Sequence, residues 1–140
     1  MTKFIFNHHF FMSMVKLPLL YLGPYGEKRL DTLFDPEIGY SYINAKHINE
    51  LGHVQSMSHA RCLNISGSQR EIKVSQVAIL EFYINDILVS DEFLVLPDIN
   101  EEVVIAALTI RKWRMKVNLA SNSVYVDPKV MIMSIGRIVA

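Results

Sequence analysis

Short apolar runs separated by turn residues make up most of the chain, and this pattern predicts β-strands. Residues 15–22 precede the turn cluster Gly23-Pro24-Tyr25-Gly26, and residues 28–34 follow it with Leu30, Thr32 and Phe34 on one face. A cluster rich in glycine and proline between two such runs is typical of a β-hairpin. Further strands are predicted over residues 57–65, 71–74, 77–84 and 87–96, with Asn85-Asp86 as a turn.

Two short helices are expected to interrupt the strands. Asn44 is a suitable N-cap for a helix of about two turns that runs through Leu51, with Gly52 in the left-handed conformation after it. Residues 102–113 begin with an apolar run typical of a buried strand and pass into a helix around Ala107. The fold class predicted from this pattern is mainly β.

The two ends of the chain are interpreted separately from the domain at residues 15–128. Residues 1–14 form a tail or an extra strand, because polar residues such as Asn7 interrupt the apolar run and rule out a membrane span. Residues 116–119 and 124–126 predict a hairpin that ends at Asp127-Pro128. Residues 129–140 are interpreted as a C-terminal strand, either packed on the domain's own core or at a dimer interface.

Composition and charge narrow the classes of protein. The chain has 140 residues, 51% of them hydrophobic and 20% charged, which is typical of one globular domain. Its 14 basic and 14 acidic residues give no net charge to attract nucleic acid or a membrane surface, so we expect neither partner. Cys62 has no second cysteine for a disulfide, which favours a reducing compartment, and we expect a cytoplasmic protein.

Two segments resemble the signatures of a known family. Residues 33–43, Leu-Phe-Asp-Pro-Glu-Ile-Gly-Tyr-Ser-Tyr-Ile, followed by a short helix ending in Leu51-Gly52, resemble the catalytic segment of retropepsin-like aspartic proteases. Val104, Ile105 and Ala106, followed by a short helix, resemble the family's second signature. The resemblance runs from about Val15 to Pro128 and is to the cellular prokaryotic type. It implies a closed β-barrel of short strands with one or two short helices, assembled as a two-fold dimer.

The resemblance also implies roles for particular residues. Asp35 takes the catalytic position, and two copies of it across the dimer axis would share one proton around a water molecule. A peptide would lie extended in the groove as substrate or ligand, and no cofactor or metal is needed. The segment Asp31-Thr32-Leu33 matches the family's catalytic motif, Asp-Thr-Gly, at two positions. It falls inside a predicted strand, so Asp31 is not taken as the catalytic residue. The active-site loop is Pro36, Glu37, Ile38 and Gly39, and the flap tip is Ser66, Gly67, Ser68, Gln69 and Arg70.

The active-site loop departs from the family pattern. Pro36 replaces a threonine whose hydroxyl links the two subunits, and Glu37 replaces a glycine and adds a negative charge beside Asp35. Gly39 replaces a serine or threonine, and Ala106 replaces the glycine of the second signature. We therefore expect a noncatalytic or weakly active homologue. The alternatives are an active homodimeric aspartic endopeptidase that uses Asp35 of each subunit, and a peptide-binding or assembly module on the same fold.

Two other groups of residues suggest different chemistry. His47, His53, His59 and Cys62 include the side chains that bind zinc, but their spacing matches no zinc finger, and we favour surface histidines and a buried cysteine. Four basic residues surround Trp113, an arrangement that would suit nucleic acid. We favour a charged helix face there, with Trp113 covering the core.

Overall fold

The computed structural model describes residues 14–64 and 71–130, which form nine strands and two short helices. In chain order these are β1 (Val15–Gly23), β2 (Gly26–Asp35), β3 (Tyr42–Asn44), α1 (Ala45–Ile48), β4 (Gln55–Asn64), β5 (Glu71–Ile84), β6 (Ile87–Leu96), β7 (Val103–Ala106), α2 (Ala107–Lys112), β8 (Met115–Asn118) and β9 (Ser123–Val126). The prediction of a mainly β fold with one or two short helices is confirmed.

Six of the strands close into a barrel. They follow the order β1-β2-β7-β3-β6-β5, and β5 returns to β1 through the pairs Tyr21 with Phe82 and Leu22 with Glu81. β4 extends the sheet beyond β5, while β8 and β9 form a separate hairpin. Since β7 lies between β2 and β3, the loop joining those two strands must cross the end of β7.

The core of the barrel is aromatic. The rings of Tyr21, Phe82 and Phe93 are fully buried, and the Tyr21 centroid lies 5.2 Å from that of Phe82 and 6.1 Å from that of Phe93. The Tyr21 hydroxyl shares a hydrogen bond of 2.7 Å with Thr32 Oγ1, which satisfies both buried oxygens. The predicted inward face of β2 is confirmed, with Thr32 buried on it between Leu30 and Phe34.

The predicted turn at Asn85-Asp86 is confirmed. Both residues have positive φ, 49° and 67°, which suits the tight turn between β5 and β6 because asparagine and aspartate tolerate this conformation. Asn85 Nδ2 also donates to the carbonyl of Val124 at 2.8 Å. The turn therefore helps to attach the β8-β9 hairpin to the barrel.

The first helix is shorter than its sequence pattern predicts. Asn44 Oδ1 accepts a hydrogen bond from the Lys46 N–H at 3.1 Å, so the predicted N-cap is confirmed. The helix ends at Ile48, whose carbonyl accepts the N–H groups of Leu51 and Gly52, each at 3.0 Å. Gly52 is not in the left-handed conformation; a Cβ there would lie 2.9 Å from Cδ of Pro24. Close packing, not backbone conformation, calls for glycine at this position.

The ends of the chain and the tip of the flap lie outside the described residues. These are residues 1–13, 65–70 and 131–140, so the interpretations of the N-terminal tail, the flap tip and most of the C-terminal strand stay predictions. Val130, the last described residue, is buried in the core, and Lys129 and Val130 are helical, so the interpreted C-terminal strand does not begin at residue 129. Across the described residues no helix is long and apolar enough to cross a membrane.

Candidate active-site turn and the adjacent cleft

Asp35 lies at the end of β2, beside the second signature. Its backbone pairs in parallel register with Ala106, and Phe34 pairs with Ile105. The two segments that resemble the family's signatures, separated by about 70 residues in sequence, are thus adjacent strands. The Asp35 side chain is 2% exposed, so the end of β2 carries its carboxyl group into the protein.

The residues after Asp35 form a tight turn that their own chemistry favours. Pro36 supplies a fixed φ at the second position, and the Ile38 N–H reaches the Asp35 carbonyl at 3.4 Å. The Glu37 N–H donates to Asp35 Oδ1 at 3.0 Å, as aspartate side chains often accept at the start of a turn. Glu37 does not have positive φ, so this form of the turn does not require the family's glycine.

Backbone hydrogen bonds tie the turn to the start of α2. The Ala107 N–H donates to the Ile38 carbonyl at 2.8 Å, and the Leu108 N–H donates to the Gly39 carbonyl at 3.4 Å. A Cβ built on Gly39 would have no heavy atom within 4 Å, so a serine or threonine would fit there. The loop is thus held by its backbone.

Ser41 and Thr109 form a buried hydroxyl pair beneath the loop. Ser41 Oγ accepts the Ala106 N–H at 2.9 Å and shares a hydrogen bond of 2.7 Å with Thr109 Oγ1. Ser41 is 4% exposed and Thr109 is 3% exposed. These contacts join the loop, the end of β7 and α2 in one buried network. Neither residue was predicted from the sequence, although a hydroxyl within an apolar run could have indicated a buried hydrogen bond at each position.

Burial and local charge shift the acidity of two side chains here. Burial raises the pKa of Asp35; the Glu37 N–H opposes the shift and the Glu37 charge adds to it. The pKa of Tyr42 is raised to about 12, first by burial and then by the negative charges of Asp35 and Glu101. Tyr42 therefore lies in a region of negative potential.

A largely apolar cleft opens beside the turn, and we call it the Tyr42 cleft. Its volume is about 190 Å³. One wall is the loop after Asp35, and the others come from β3, the end of β4 and β6. The lining residues are Glu37, Ile38, Gly39, Tyr40, Tyr42, Leu63, Asn64, Leu94 and Leu96.

A cation–π contact joins two walls of this cleft. The guanidinium carbon of Arg61, on β4, lies 5.7 Å from the centroid of the Tyr40 ring. Leu63 and Asn64 line the cleft two and three residues later on the same strand, just before the predicted flap tip. The contact thus links β4, before the predicted flap tip, to the residue that follows the predicted active-site loop.

The structure does not bring the histidines and the cysteine together as a metal site. His47 contacts Lys28 Nζ at 3.2 Å and Glu102 Oε2 at 3.3 Å, whereas His53 bonds to the Tyr25 hydroxyl. Within residues 14–64 and 71–130, no group of three or more His, Cys, Asp or Glu side chains could hold a metal ion. Two expectations are wrong: Cys62 is exposed, because it lies on the exposed strand β4, and His47 is mostly buried.

The basic cluster around Trp113 is partly neutralised. Lys112 Nζ lies 3.6 Å from Asp91 Oδ1 and 5.9 Å from the centre of the Trp113 ring, which packs against the core. The interpretation of a charged helix face with Trp113 covering the core is consistent with these contacts.

Comparison with known proteins gives a structural relationship and no sequence relationship. No family model and no curated protein matches the chain. Among solved structures, the chain is similar to the retroviral protease-like domain of Ddi1 from Leishmania major, with a TM-score of 0.61. The match covers 81% of this chain and 90% of that one, at 14% sequence identity. The chain has a retropepsin-like fold.

The retropepsin-like fold confirms the closed β-barrel with short helices that the resemblance implied, whereas the two-fold dimer stays a prediction. Both signatures lie where the fold brings them together, with Asp35 beside Ala106. At this level of identity the likeness concerns the fold, since fold and activity are separable. The roles of Asp35, the predicted active-site loop and the second signature therefore depend on their own chemistry.

Proposed function

We propose that this chain is a noncatalytic or weakly active homologue of retropepsin-like aspartic proteases that binds an extended peptide in the Tyr42 cleft. The observation that carries the proposal is the turn from Asp35 to Ile38. Amide hydrolysis by a pair of aspartates requires carboxyl groups that reach a shared water molecule. Here the residue Asp35 is 2% exposed, so its carboxyl group has little access to water.

The residues at positions 36 and 37 also disfavour catalysis. Pro36 has neither a hydroxyl nor an N–H, so it offers no brace between subunits. The negative charge of Glu37 disfavours the ionised form of Asp35, which is the form that removes a proton from water. Peptide binding needs none of these groups, and the Tyr42 cleft offers a largely apolar lining.

An active homodimeric endopeptidase is the second candidate, and one observation favours it. Burial raises the pKa of Asp35, which extends the range of pH over which one carboxyl of a pair stays protonated. This candidate requires two copies of the chain, because each copy supplies one aspartate at this position. Sedimentation equilibrium tests that requirement, since a mass near 16.1 kDa at every concentration would exclude the composite site.

Peptide cleavage and peptide binding, measured together, test the proposal. The full chain is incubated with a mixed peptide pool between pH 4 and 7, products are detected by mass spectrometry, and binding is followed by NMR. We expect cleft signals to shift without cleavage, and the shifts to persist in Asp35→Asn. Robust cleavage that disappears in Asp35→Asn would support the endopeptidase instead.

Restoring the family's residues at positions 36 and 37 tests directly whether the turn prevents catalysis. The double variant Pro36→Thr with Glu37→Gly restores the family's residues, and the same variant with Asp35→Asn is its matched control. If the turn is what prevents catalysis, cleavage should appear in the double variant and be absent from the control. A wild-type chain as active as the double variant would contradict this reasoning.

A further inference from the structure

The size of the Tyr42 cleft limits what it can hold. Its volume of about 190 Å³ lies below the roughly 300–1,000 Å³ typical of small-molecule sites. Tyr42, Leu63, Leu94 and Leu96 give it apolar walls. One bulky apolar side chain of a peptide would therefore enter the cleft, while the neighbouring residues stay at its mouth.

The mouth of the cleft carries a carboxylate that lacks a described counter-charge. Glu37 is exposed and lines the cleft, and among residues 14–64 and 71–130 no lysine, arginine or histidine forms an ion pair with it. The buried Asp35 carboxyl lies two residues away, and its charge contributes to the raised pKa of Tyr42 inside the cleft. The cleft thus joins an apolar interior to an exposed carboxylate at its mouth.

The ring of Tyr40, beside the mouth of the cleft, already contacts a cation of the chain itself. The Arg61 guanidinium lies over the Tyr40 ring, which is 47% exposed next to the cleft. Because the Arg61 guanidinium already occupies the Tyr40 ring, a guanidinium or ammonium group from a ligand would pair with the Glu37 carboxylate. An acidic ligand residue at this position would instead be repelled.

We propose that the Tyr42 cleft selects a peptide segment in which a bulky apolar residue is adjacent to a lysine or arginine. The apolar side chain fills the cleft, and the basic side chain pairs with the Glu37 carboxylate at its rim. This selectivity rests on the proposed peptide-binding function and adds the class of peptide to it. Pro36 lacks the hydroxyl that would link two catalytic subunits. Glu37, beside it, supplies the charged group that selects the peptide.

Peptide titrations of the full-length, ¹⁵N-labelled chain test the selectivity. Three soluble octapeptides of glycine and serine share a central leucine followed by arginine, glutamine or glutamate, and a second set places the variable residue before the leucine. A fourth peptide keeps arginine and replaces leucine with glycine. Shifts of the Tyr42 and Leu63 amide signals give the affinities.

We expect the arginine peptide of at least one set to bind about two- to fivefold more tightly than the glutamine peptide, the range for an exposed ion pair. The glutamate peptide should bind more weakly still, and the peptide without leucine should not shift the Tyr42 signal. In Glu37→Gln, arginine and glutamine peptides should bind equally. Glu27→Gln, at the opposite end of β2, is the matched control and should keep the preference.

The outcomes separate the two proposals. Equal binding of all leucine peptides to the wild-type chain would overturn the charge selectivity and leave peptide binding intact. A preference for arginine that persists in Glu37→Gln would also overturn it. If none of the leucine peptides shifts the cleft signals, peptide binding in this cleft is itself wrong, and the selectivity falls with it.

Discussion

The hydroxyl of Ser41 is expected to stabilise the loop that carries the candidate site, and Ser41→Ala removes it. The substitution leaves the Ala106 N–H without its acceptor, in a residue with no exposed surface. An unpaired buried donor costs about 1–3 kcal/mol, and the lost bond to Thr109 adds about 0.5–1.5 kcal/mol. We expect a loss of roughly 2–3 kcal/mol in the free energy of unfolding.

Urea denaturation measures this loss. For a slope of about 1–3 kcal/mol per molar urea, the midpoint should fall by about 0.7–3 M. Ser56→Ala is the matched control, because Ser56 is exposed on β4, and its free energy of unfolding should change by less than about 0.5 kcal/mol. A Ser41→Ala midpoint equal to that of Ser56→Ala would refute the reasoning.

A double-mutant cycle with Thr109→Val isolates the bond between the two hydroxyls. Valine keeps the shape of threonine and loses the hydroxyl, so Thr109→Val alone should cost about 1 kcal/mol. Because both single variants lose the same bond, the double variant should cost less than the sum of the two by at least about 0.5 kcal/mol. Strict additivity would show that the 2.7 Å contact contributes nothing to stability.

Two further predictions concern buried polar groups. Because the pKa of Asp35 is raised in the folded state, its protonation favours folding below its ordinary pKa of 3.8, and this contribution is lost as pH rises through the raised value. Wild-type stability relative to Asp35→Asn should therefore fall with rising pH, measured as urea midpoints from pH 3.5 to 7; a difference that grows with pH would contradict this. Tyr21→Phe removes the buried bond to Thr32, whose Oγ1 also donates to the Leu30 carbonyl at 3.3 Å, and should cost about 1 kcal/mol by thermal denaturation; an unchanged melting temperature would contradict this.

Local turn chemistry explains why much of the strand order was predictable. The pairs Asn85-Asp86 and Pro24-Tyr25 mark turns, and of the strands beside them β2 and the end of β5 alternate buried and exposed positions. The Asn44 cap is likewise a contact within three residues. Such features depend on neighbours in sequence, so a sequence pattern can indicate them.

Features set by contacts distant in sequence were missed or misread. The glycine at position 52 is required by the close approach of Pro24, which belongs to the turn of the first hairpin. Cys62 was expected to be buried, yet β4 lies at the edge of the sheet and most of its side chains face solvent. Hydrophobicity alone does not tell an edge strand from a central one.

The sequence by itself determined the mainly β class, the order of the elements and the two segments that resemble catalytic signatures. It also determined that Pro36 and Glu37 depart from a catalytic turn, because the chemistry of a side chain does not depend on the fold. Only the tertiary structure placed β7 between β2 and β3, buried the Asp35 carboxyl and assembled the Tyr42 cleft from three separate segments. Burial and electrostatic potential arise from groups far apart along the chain, so they exist only once the barrel has closed.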